Sequence, residues 1–190
     1  VLANTRKPLG VSEIAALVNL SPSTVHRYLT SLTRSGIAEQ LASNGKYDLG
    51  PRALFIGLQA IGKLDAQRHL TSVVEELADR TELTAQGVVW SQHGPTIIQW
   101  KDSSRSIVVS ARLGSVLPLA SSAAGLIFCA YLSPKSYAKQ IGAELAKTPP
   151  PTNRGKELDA PAFDALLSQV RKAGLSSVKG DIVAGIDGLS

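Results

Sequence analysis

The sequence predicts an α+β fold with a small helical domain at the N-terminus and a larger domain in which helices cover an antiparallel sheet. Two observations support this prediction. Residues 21–36 have the start, spacing and stop of a short helix, and a hairpin signal at Asn44-Gly45 follows them. From Leu83 onward the apolar spacing changes from helical to strand-like, and helical segments return after Pro118.

The segment from Ser21 to Gly36 predicts a helix with defined ends. Ser21 suits the N-cap, Pro22 suits the first helical position, and Gly36 suits the stop. The predicted apolar face is Val25, Tyr28, Leu29 and Leu32. The opposite face has no acidic residue and consists of Ser23, Thr24, His26, Arg27, Thr30, Ser31 and Arg34. This face suits a polyanion, because carboxylates would be repelled by phosphates; an ordinary solvated helix surface is the other interpretation.

The neighbouring segments favour the first interpretation. A short helix over residues 13–18, capped by Ser12, is predicted to precede this helix across a tight connection at 19–21. Strand-like runs on both sides of residues 42–45 are predicted to follow it as a hairpin. A helix-turn-helix followed at once by a hairpin is a winged helix. This order predicts a DNA-binding domain over residues 1–50.

These residues also resemble a known family. The stretch from Gly10 to Leu32, with the later stretch from Tyr47 to Gly50, is similar to the N-terminal domain of IclR-family bacterial transcription regulators. The stretch from Gly114 to Ala130 is similar to the effector-domain segment of that family. The resemblance implies a sequence-specific transcription regulator whose affinity for a double-stranded DNA operator responds to a small organic-acid or aromatic effector.

The predicted DNA contacts come from the second helix and the hairpin. Arg27 is expected to contribute most, because a guanidinium group binds guanine or phosphate in a two-pronged geometry. The full predicted set is Ser21, Ser23, Thr24, His26, Arg27, Thr30, Arg34, Asn44 and Lys46. The winged helix could instead mediate protein contacts in a ligand-sensing assembly module, an alternative that the modest charge of residues 1–50 leaves open.

A linker helix is predicted over residues 51–64, with Leu54, Leu58 and Ile61 at helical spacing. Its apolar stripe either packs on its own chain or meets the same helix of a second protomer in a homodimer or tetramer. A further helix over about residues 66–80 is predicted to bury one face. That face is Leu70, Val73, Val74 and Leu77.

The second domain, residues 65–190, is predicted to bind the effector. Strands are expected over residues 83–90, 96–100, 107–111, 175–178 and 186–190. Helices are expected over residues 119–132, 135–146 and 161–173, with a surface loop over 148–155. The resemblance implies a longer effector domain, so its C-terminal part is expected to be missing.

The start of the helix after Pro118 suits a small carboxylate or phosphate, because backbone N–H groups and the positive end of the helix dipole meet there. Tight packing on the sheet is the alternative reason for its small residues. Either Ser121 or Ser122 is expected to cap this helix. The resemblance implies that the effector pocket is formed by Val109, Leu117, Ser121, Ser122, Ala123, Ala124, Ile186 and Gly188.

Three positions depart from patterns found in the resembling family. Many members have a histidine in place of Ala120, and some that bind small acids have an aspartate in place of Val178 and a cysteine in place of Gly188. The residues present here remove polar groups and are expected to open space. They predict a larger or less polar effector than a two-carbon acid, with an aromatic one as an option.

Composition and the remaining motifs argue against other classes. The formal charge of +5 permits an anionic partner without demanding one. The single Cys129 excludes an internal disulfide framework and a Cys-rich metal site. No histidine pair has metal-ligand spacing and no serine lies in a nucleophile elbow, so we predict no catalytic residue, metal or cofactor. No apolar run reaches the roughly 18 residues that span a bilayer, and no signal peptide is seen, which predicts a cytoplasmic protein without a membrane partner.

Overall fold

The computed structural model of the chain describes residues 1–5, 7–63, 67–102, 111–183 and 185–190. The chain divides into two compact units, Val1–Gln67 and Arg68–Ser190. Among the described helices, none combines the length and the apolar character needed to cross a membrane. The strand predicted over residues 107–111 lies outside the described residues except for Ala111.

The first unit is a helix-turn-helix followed by a hairpin, as the sequence predicts. Its first helices are α1 (Val11–Val18) and α2 (Pro22–Arg34). Its hairpin pairs β1 (Ala38–Gln40) with β2 (Tyr47–Leu49) in antiparallel register, and α3 (Pro51–Gly62) follows at the predicted linker position. Leu9 extends the hairpin by exchanging two backbone hydrogen bonds of 3.0 and 2.8 Å with Tyr47.

The helix ends of this unit follow local chemistry. Ser21 caps α2 as predicted, because its hydroxyl accepts a first-turn backbone N–H at 3.3 Å. The predicted cap of α1 is wrong. Gly10 precedes that helix, and the Glu13 carboxylate accepts the Gly10 N–H at 2.6 Å, while Ser12 lies inside the helix. Asn19 ends α1 in the left-handed conformation, with φ 53°, and so turns the chain toward α2.

The core of the first unit is narrower than the predicted apolar face of α2. Its buried members are Ile14, Ala15, Val25, Leu29 and Tyr47. Tyr28 and Leu32 were predicted to join them, but both are exposed and line an open apolar groove. The groove is also lined by Ile14, Val25 and Leu49, so it opens directly onto this core.

Gly50 allows the hairpin to pass directly into α3. A Cβ at this position would lie against the Gly36 carbonyl oxygen and 2.9 Å from backbone atoms of Ala38, so a side chain does not fit. The backbone N–H of Arg52 then donates to the Gly36 carbonyl at 3.0 Å. These contacts join the start of α3 to the end of α2.

The second unit is built from helices and short antiparallel hairpins, which confirms the predicted α+β class. Its helices are α4 (Gln67–Thr81), α5 (Ala123–Tyr131), α6 (Ala138–Leu145) and α7 (Ala160–Ala173). Its hairpins pair β3 (Ala85–Ser91) with β4 (Gly94–Lys101), β5 (Thr152–Asn153) with β6 (Lys156–Glu157), and β7 (Ser177–Lys179) with β8 (Asp187–Leu189). The main core lies between α5, α6 and α7, with Leu126 and Leu167 almost fully buried.

Three predictions about this unit need correction. The buried stripe of α4 contains Val74 and Ala78, whereas Val73 and Leu77 are more than half exposed, because helical spacing alone does not fix which side meets the core. The helix predicted over residues 135–146 is a 3-10 turn followed by α6, since Pro134 starts a separate turn. The loop predicted over residues 148–155 contains β5 and the turn of a small hairpin.

Asp181 ties the β5–β6 hairpin to the end of β7. Its carboxylate accepts hydrogen bonds from the Thr152 hydroxyl at 3.0 Å and from the backbone N–H groups of Arg154, Gly155 and Lys179 at 2.9, 3.3 and 3.0 Å. Partial burial raises the pKa of Asp181, but these hydrogen bonds favour the ionised form and lower its pKa overall.

Replacing Asp181 with alanine is expected to reduce the free energy of unfolding by about 1–3 kcal/mol at pH 7, because four donors lose their acceptor. The lowered pKa means that this contribution is complete at neutral pH and is lost as the pH falls below about 4, the usual pKa of aspartate. Urea unfolding of the wild type and of Asp181→Ala at pH 7 and pH 3 measures both effects. A difference between the proteins that does not shrink at pH 3 would contradict this role.

Candidate nucleic-acid interface and effector site

The outward face of α2 carries most of the predicted DNA-contacting residues. Ser23, His26, Arg27 and Arg34 are exposed, and no residue of the helix is acidic. Neither arginine forms an ion pair with any part of the chain that the structure describes. Two guanidinium groups are therefore available to an anionic partner along this helix.

The hydroxyl groups of the same face already bond within the helix. The Ser21 Oγ lies 3.0 Å from the Ser23 Oγ and 2.8 Å from the Thr24 Oγ1. The Thr30 hydroxyl donates to the His26 carbonyl at 2.9 Å. These bonds fix the direction of each hydroxyl, so the charged side chains keep more freedom to meet a partner than the hydroxyls do.

The hairpin turn holds the remaining predicted contacts. Asn44 accepts the Lys46 N–H at 3.0 Å, and Gly45 has φ 66°, the conformation that the Asn-Gly pair predicts. The Lys46 Nζ also lies 3.2 Å from Glu13 Oε2, an ion pair between the hairpin and α1 that sequence reasoning missed. The hydrogen bond from the Gly10 N–H and the contact with Lys46 lower the pKa of Glu13.

A polar cleft of about 260 Å³ separates α2 from the hairpin. Each residue that lines it carries at least one hydrogen-bond donor, and none is acidic. These residues are His26, Thr30, Thr33, Arg34, Gln40 and Tyr47. Three of them, Thr33, Gln40 and Tyr47, are absent from the contacts that the sequence predicts, because no local motif marks them.

In the second unit, Glu144 holds the turn that precedes α5. Its two carboxylate oxygens each accept the Leu119 N–H at 2.9 Å, and one also accepts the Ala120 N–H at 3.0 Å. Leu119 and Ala120 are buried, so their N–H groups depend on this protein acceptor. The helix predicted over residues 119–132 begins only at Ala123. The N–H groups of Leu119 and Ala120, which were expected to bind an anionic ligand, already donate to the Glu144 carboxylate.

Ser122, rather than Ser121, caps α5. Its buried hydroxyl accepts the Gly125 N–H at 2.8 Å and donates to the Pro118 carbonyl at 2.5 Å. A Cβ at Gly125 would lie 2.6 Å from the Leu119 Cα, so the helix packs directly on the turn. The Ser122 hydroxyl is thus occupied by the fold.

The first-turn N–H groups of Ala123 and Ala124 donate to no acceptor among the described residues. Gly188 on β8 lies beside Ala123, because a Cβ at that position would stand 3.8 Å from the Ala123 Cβ. The same Cβ would stand 3.0 Å from Val178 Cγ2, and Val178 is buried. Val178 therefore stands against the place where a side chain at position 188 would begin.

The other predicted effector contacts lie on separate segments. Leu117 belongs to the segment that hydrogen-bonds with the start of β4, and Ile186 lies in the turn before β8; both are half-buried. Ser121 is half-buried beside the cap of α5. Val109 lies outside the described residues.

Cys129 is fully buried in the core of the second unit. Burial, with a smaller effect from the charge of Glu144, raises the pKa of its thiol to about 12, which keeps it neutral. Within the described part of the chain, no group of His, Cys, Asp and Glu side chains is arranged to hold a metal ion.

Two family models match the chain. Residues 1–42 match the IclR helix-turn-helix domain, and residues 58–190 match the bacterial transcriptional regulator IclR C-terminal domain. Over 125 residues the chain is 30% identical to the HTH-type transcriptional regulator XynR of Escherichia coli strain K12, which covers 65% of this chain and 49% of that protein. The chain spans between 49% and 66% of the length of the first curated relatives that it matches.

Solved structures share the fold. An IclR transcriptional regulator from Alicyclobacillus acidocaldarius matches with a TM-score of 0.80 at 22% identity, over 99% of this chain and 75% of that one. An IclR homolog from Microbacterium hydrocarbonoxydans, crystallised with 4-hydroxybenzoate, matches with a TM-score of 0.77 at 24% identity, over 98% of this chain and 75% of that one. At these identities the likeness concerns the fold alone.

Glu144→Ala is expected to reduce the free energy of unfolding by about 1–3 kcal/mol, because the buried N–H groups of Leu119 and Ala120 lose their acceptor. Glu144→Gln keeps one acceptor oxygen, so its loss is expected to be smaller. Residue-resolved amide hydrogen exchange should show faster exchange at both positions in the alanine variant. Unaltered protection of both amides there would refute the contact.

Proposed function

Because the chain belongs to the IclR family of bacterial transcriptional regulators, we propose that it binds operator DNA with an affinity that a small effector alters. The DNA-binding part of this proposal rests on the outward face of α2, which has no carboxylate and two guanidinium groups without an ion-pair partner in the described part of the chain. Relatives such as XynR are named as transcriptional regulators, which favours DNA over a protein as the partner. Binding to a chromosomal operator also implies a cytoplasmic location.

On this proposal α2 lies in the major groove, where its side chains reach base edges. Arg27 stands near the middle of the outward face and is exposed, so it can bind guanine in two-pronged geometry. Ser23 and Thr24 lie in the first turn of the helix, where they would bind a phosphate beside the helix N-terminus. The hairpin contacts the DNA backbone through Asn44, while Glu13 limits the reach of Lys46.

We expect copies of the chain to bind as a homodimer or a tetramer. The apolar residues Leu54, Phe55, Ile56 and Leu58 of α3 are each at least half exposed. So many exposed large apolar side chains on one helix are typical of an interface between proteins. A two-fold pair would place two α2 helices in successive major grooves of a pseudo-palindromic operator.

For the effector, we propose a small molecule with a carboxylate that accepts the N–H groups of Ala123 and Ala124. The neighbouring amides of Leu119 and Ala120 are occupied by Glu144, which leaves these two at the start of α5. The homolog crystallised with 4-hydroxybenzoate supports an aromatic carboxylate as the first compound to test. Effector binding would change operator affinity by a coupling free energy of about 1–3 kcal/mol.

Arg27→Ala is expected to weaken operator binding about 5- to 150-fold, since a two-pronged base contact contributes about 1–3 kcal/mol. Its fold should be unaffected, because the side chain is exposed. Fluorescence anisotropy at matched salt, with the DNA flanking the gene and a scrambled duplex, measures affinity, specificity and the number of protomers per site.

Arg80→Ala is the control, because Arg80 is also an exposed arginine but lies on α4, where it is paired with Glu76. Equal affinity for Arg27→Ala and the wild type would remove Arg27 from the interface. A wild type whose weak binding is insensitive to salt would instead support protein contacts by the winged helix.

Calorimetric titration should show that 4-hydroxybenzoate binds more tightly than glyoxylate, a two-carbon oxoacid. Ala123→Pro removes one proposed donor at the first position of α5, where proline is compatible with a helix, so it should abolish this binding while circular dichroism stays unchanged. Ligand should also alter operator affinity about 5- to 150-fold. Tighter binding of glyoxylate than of the aromatic acid would contradict the proposed effector class.

A further inference from the structure

We propose that one sugar-phosphate strand of the DNA passes through the polar cleft between α2 and the hairpin, where Thr33 and Gln40 bind its phosphates. This inference rests on the proposed DNA-binding function and assigns a path to the DNA backbone. It follows from two features of the first unit, the charge on each face of the hairpin and the donors that line the cleft, and from the groove geometry of DNA.

The two faces of the hairpin differ in charge. Gln40 and Tyr47 are directly opposite each other across β1 and β2, and both line the cleft. Glu39 and Asp48 form the next cross-strand pair, and their side chains point to the outer face because successive residues of a strand alternate. Both carboxylates of the hairpin strands are therefore directed away from α2.

The outer face repels phosphate. Two carboxylates opposite each other already repel one another, and neither Glu39 nor Asp48 has an ion-pair partner within the described ranges of the chain. Lys46, the lysine of the hairpin, is paired with Glu13. A DNA strand approaching the hairpin from this side would meet uncompensated negative charge.

The cleft face attracts phosphate. From α2 it receives His26, Thr30, Thr33 and Arg34, which lie along one side of the helix at intervals of about one turn. From the hairpin it receives Gln40, whose Nε2 donates to the Gly45 carbonyl at 2.9 Å. A side-chain amide has two N–H donors, so this bond fixes the side chain and leaves one donor for a phosphate oxygen.

The geometry of B-DNA indicates that a sugar-phosphate strand occupies the cleft. A sugar-phosphate strand separates each major groove from the neighbouring minor groove. A helix in the major groove and a hairpin beside it must therefore straddle that strand, which passes through the space between them. Here that space is lined by donors and contains no carboxylate.

Gln40→Glu and Glu39→Gln form a matched pair for the test, because the two exposed neighbours lie on opposite faces of β1 and exchange the same groups. Gln40→Glu places a carboxylate in the cleft. It should weaken binding to the operator and to a scrambled duplex alike, by about tenfold at low salt, and reduce the salt slope by about one. Glu39→Gln should stay within about twofold of the wild type or bind slightly more tightly.

Thr33→Val is the second variant, since it removes the hydroxyl and retains the shape of the side chain. It should weaken binding to both duplexes equally, by about threefold, because phosphate contacts carry no sequence information. Thermal unfolding of each variant checks that the fold is retained.

Two results would overturn the inference while the proposed function stands. One is wild-type affinity for the operator in both Gln40→Glu and Thr33→Val. The other is a loss confined to the operator, which would indicate base contacts in place of backbone contacts. A wild type that shows no preference for the operator, with or without 4-hydroxybenzoate, would reject the proposed function and this inference together.

Discussion

The first backbone N–H groups of a helix have no hydrogen-bond acceptor within that helix. In this chain, side chains supply the missing acceptors, and their positions determine the geometry of both candidate sites. Glu13 serves α1, Ser21 serves α2, and Ser122 serves α5. Before α5 the requirement extends into the turn, where Glu144 accepts two buried N–H groups. Each acceptor also decides which neighbouring groups remain available to a partner from outside the chain.

The distribution of charge over the first unit also depends on one of these contacts. Glu13 accepts a backbone N–H and pairs with Lys46, so one acid and one base of this small unit neutralise each other away from α2. The two carboxylates of the hairpin strands, Glu39 and Asp48, stand on its outer face. Although the net charge of this unit is modest, the outward face of α2 is therefore basic, with two arginines and no acidic side chain. The distribution of charge, rather than its sum, is what suits this unit to a polyanion.

Local signals in the sequence were sufficient to predict the helix-turn-helix, the cap at Ser21, the Asn44-Gly45 turn and the position of α3, because each depends on residues within about one turn of the chain. The contact of Glu144 with Leu119 spans 25 residues, and that of Lys46 with Glu13 spans 33, so no local pattern marks them. The buried side of α4 was misjudged for a related reason: periodicity gives the width of an apolar stripe, while its neighbours decide which edge is buried. For the candidate sites, the sequence therefore predicted the elements, and only the structure supplied the pairings.

Those pairings explain which groups are left for function. Around α5, Glu144 and Ser122 use the amides of Leu119, Ala120 and Gly125, and the unclaimed donors are those of Ala123 and Ala124. On α2, internal bonds occupy the hydroxyls of its first turn, while the guanidinium groups have no ion-pair partner among the described residues. A polar group already satisfied within the fold must break a bond to meet a ligand, whereas an exposed unsatisfied one gives up only water. At these two sites the described groups that folding leaves without a partner are donors, so we expect the ligands that bind there to be anionic; the unpaired carboxylates of Glu39 and Asp48 lie on the other face of the hairpin.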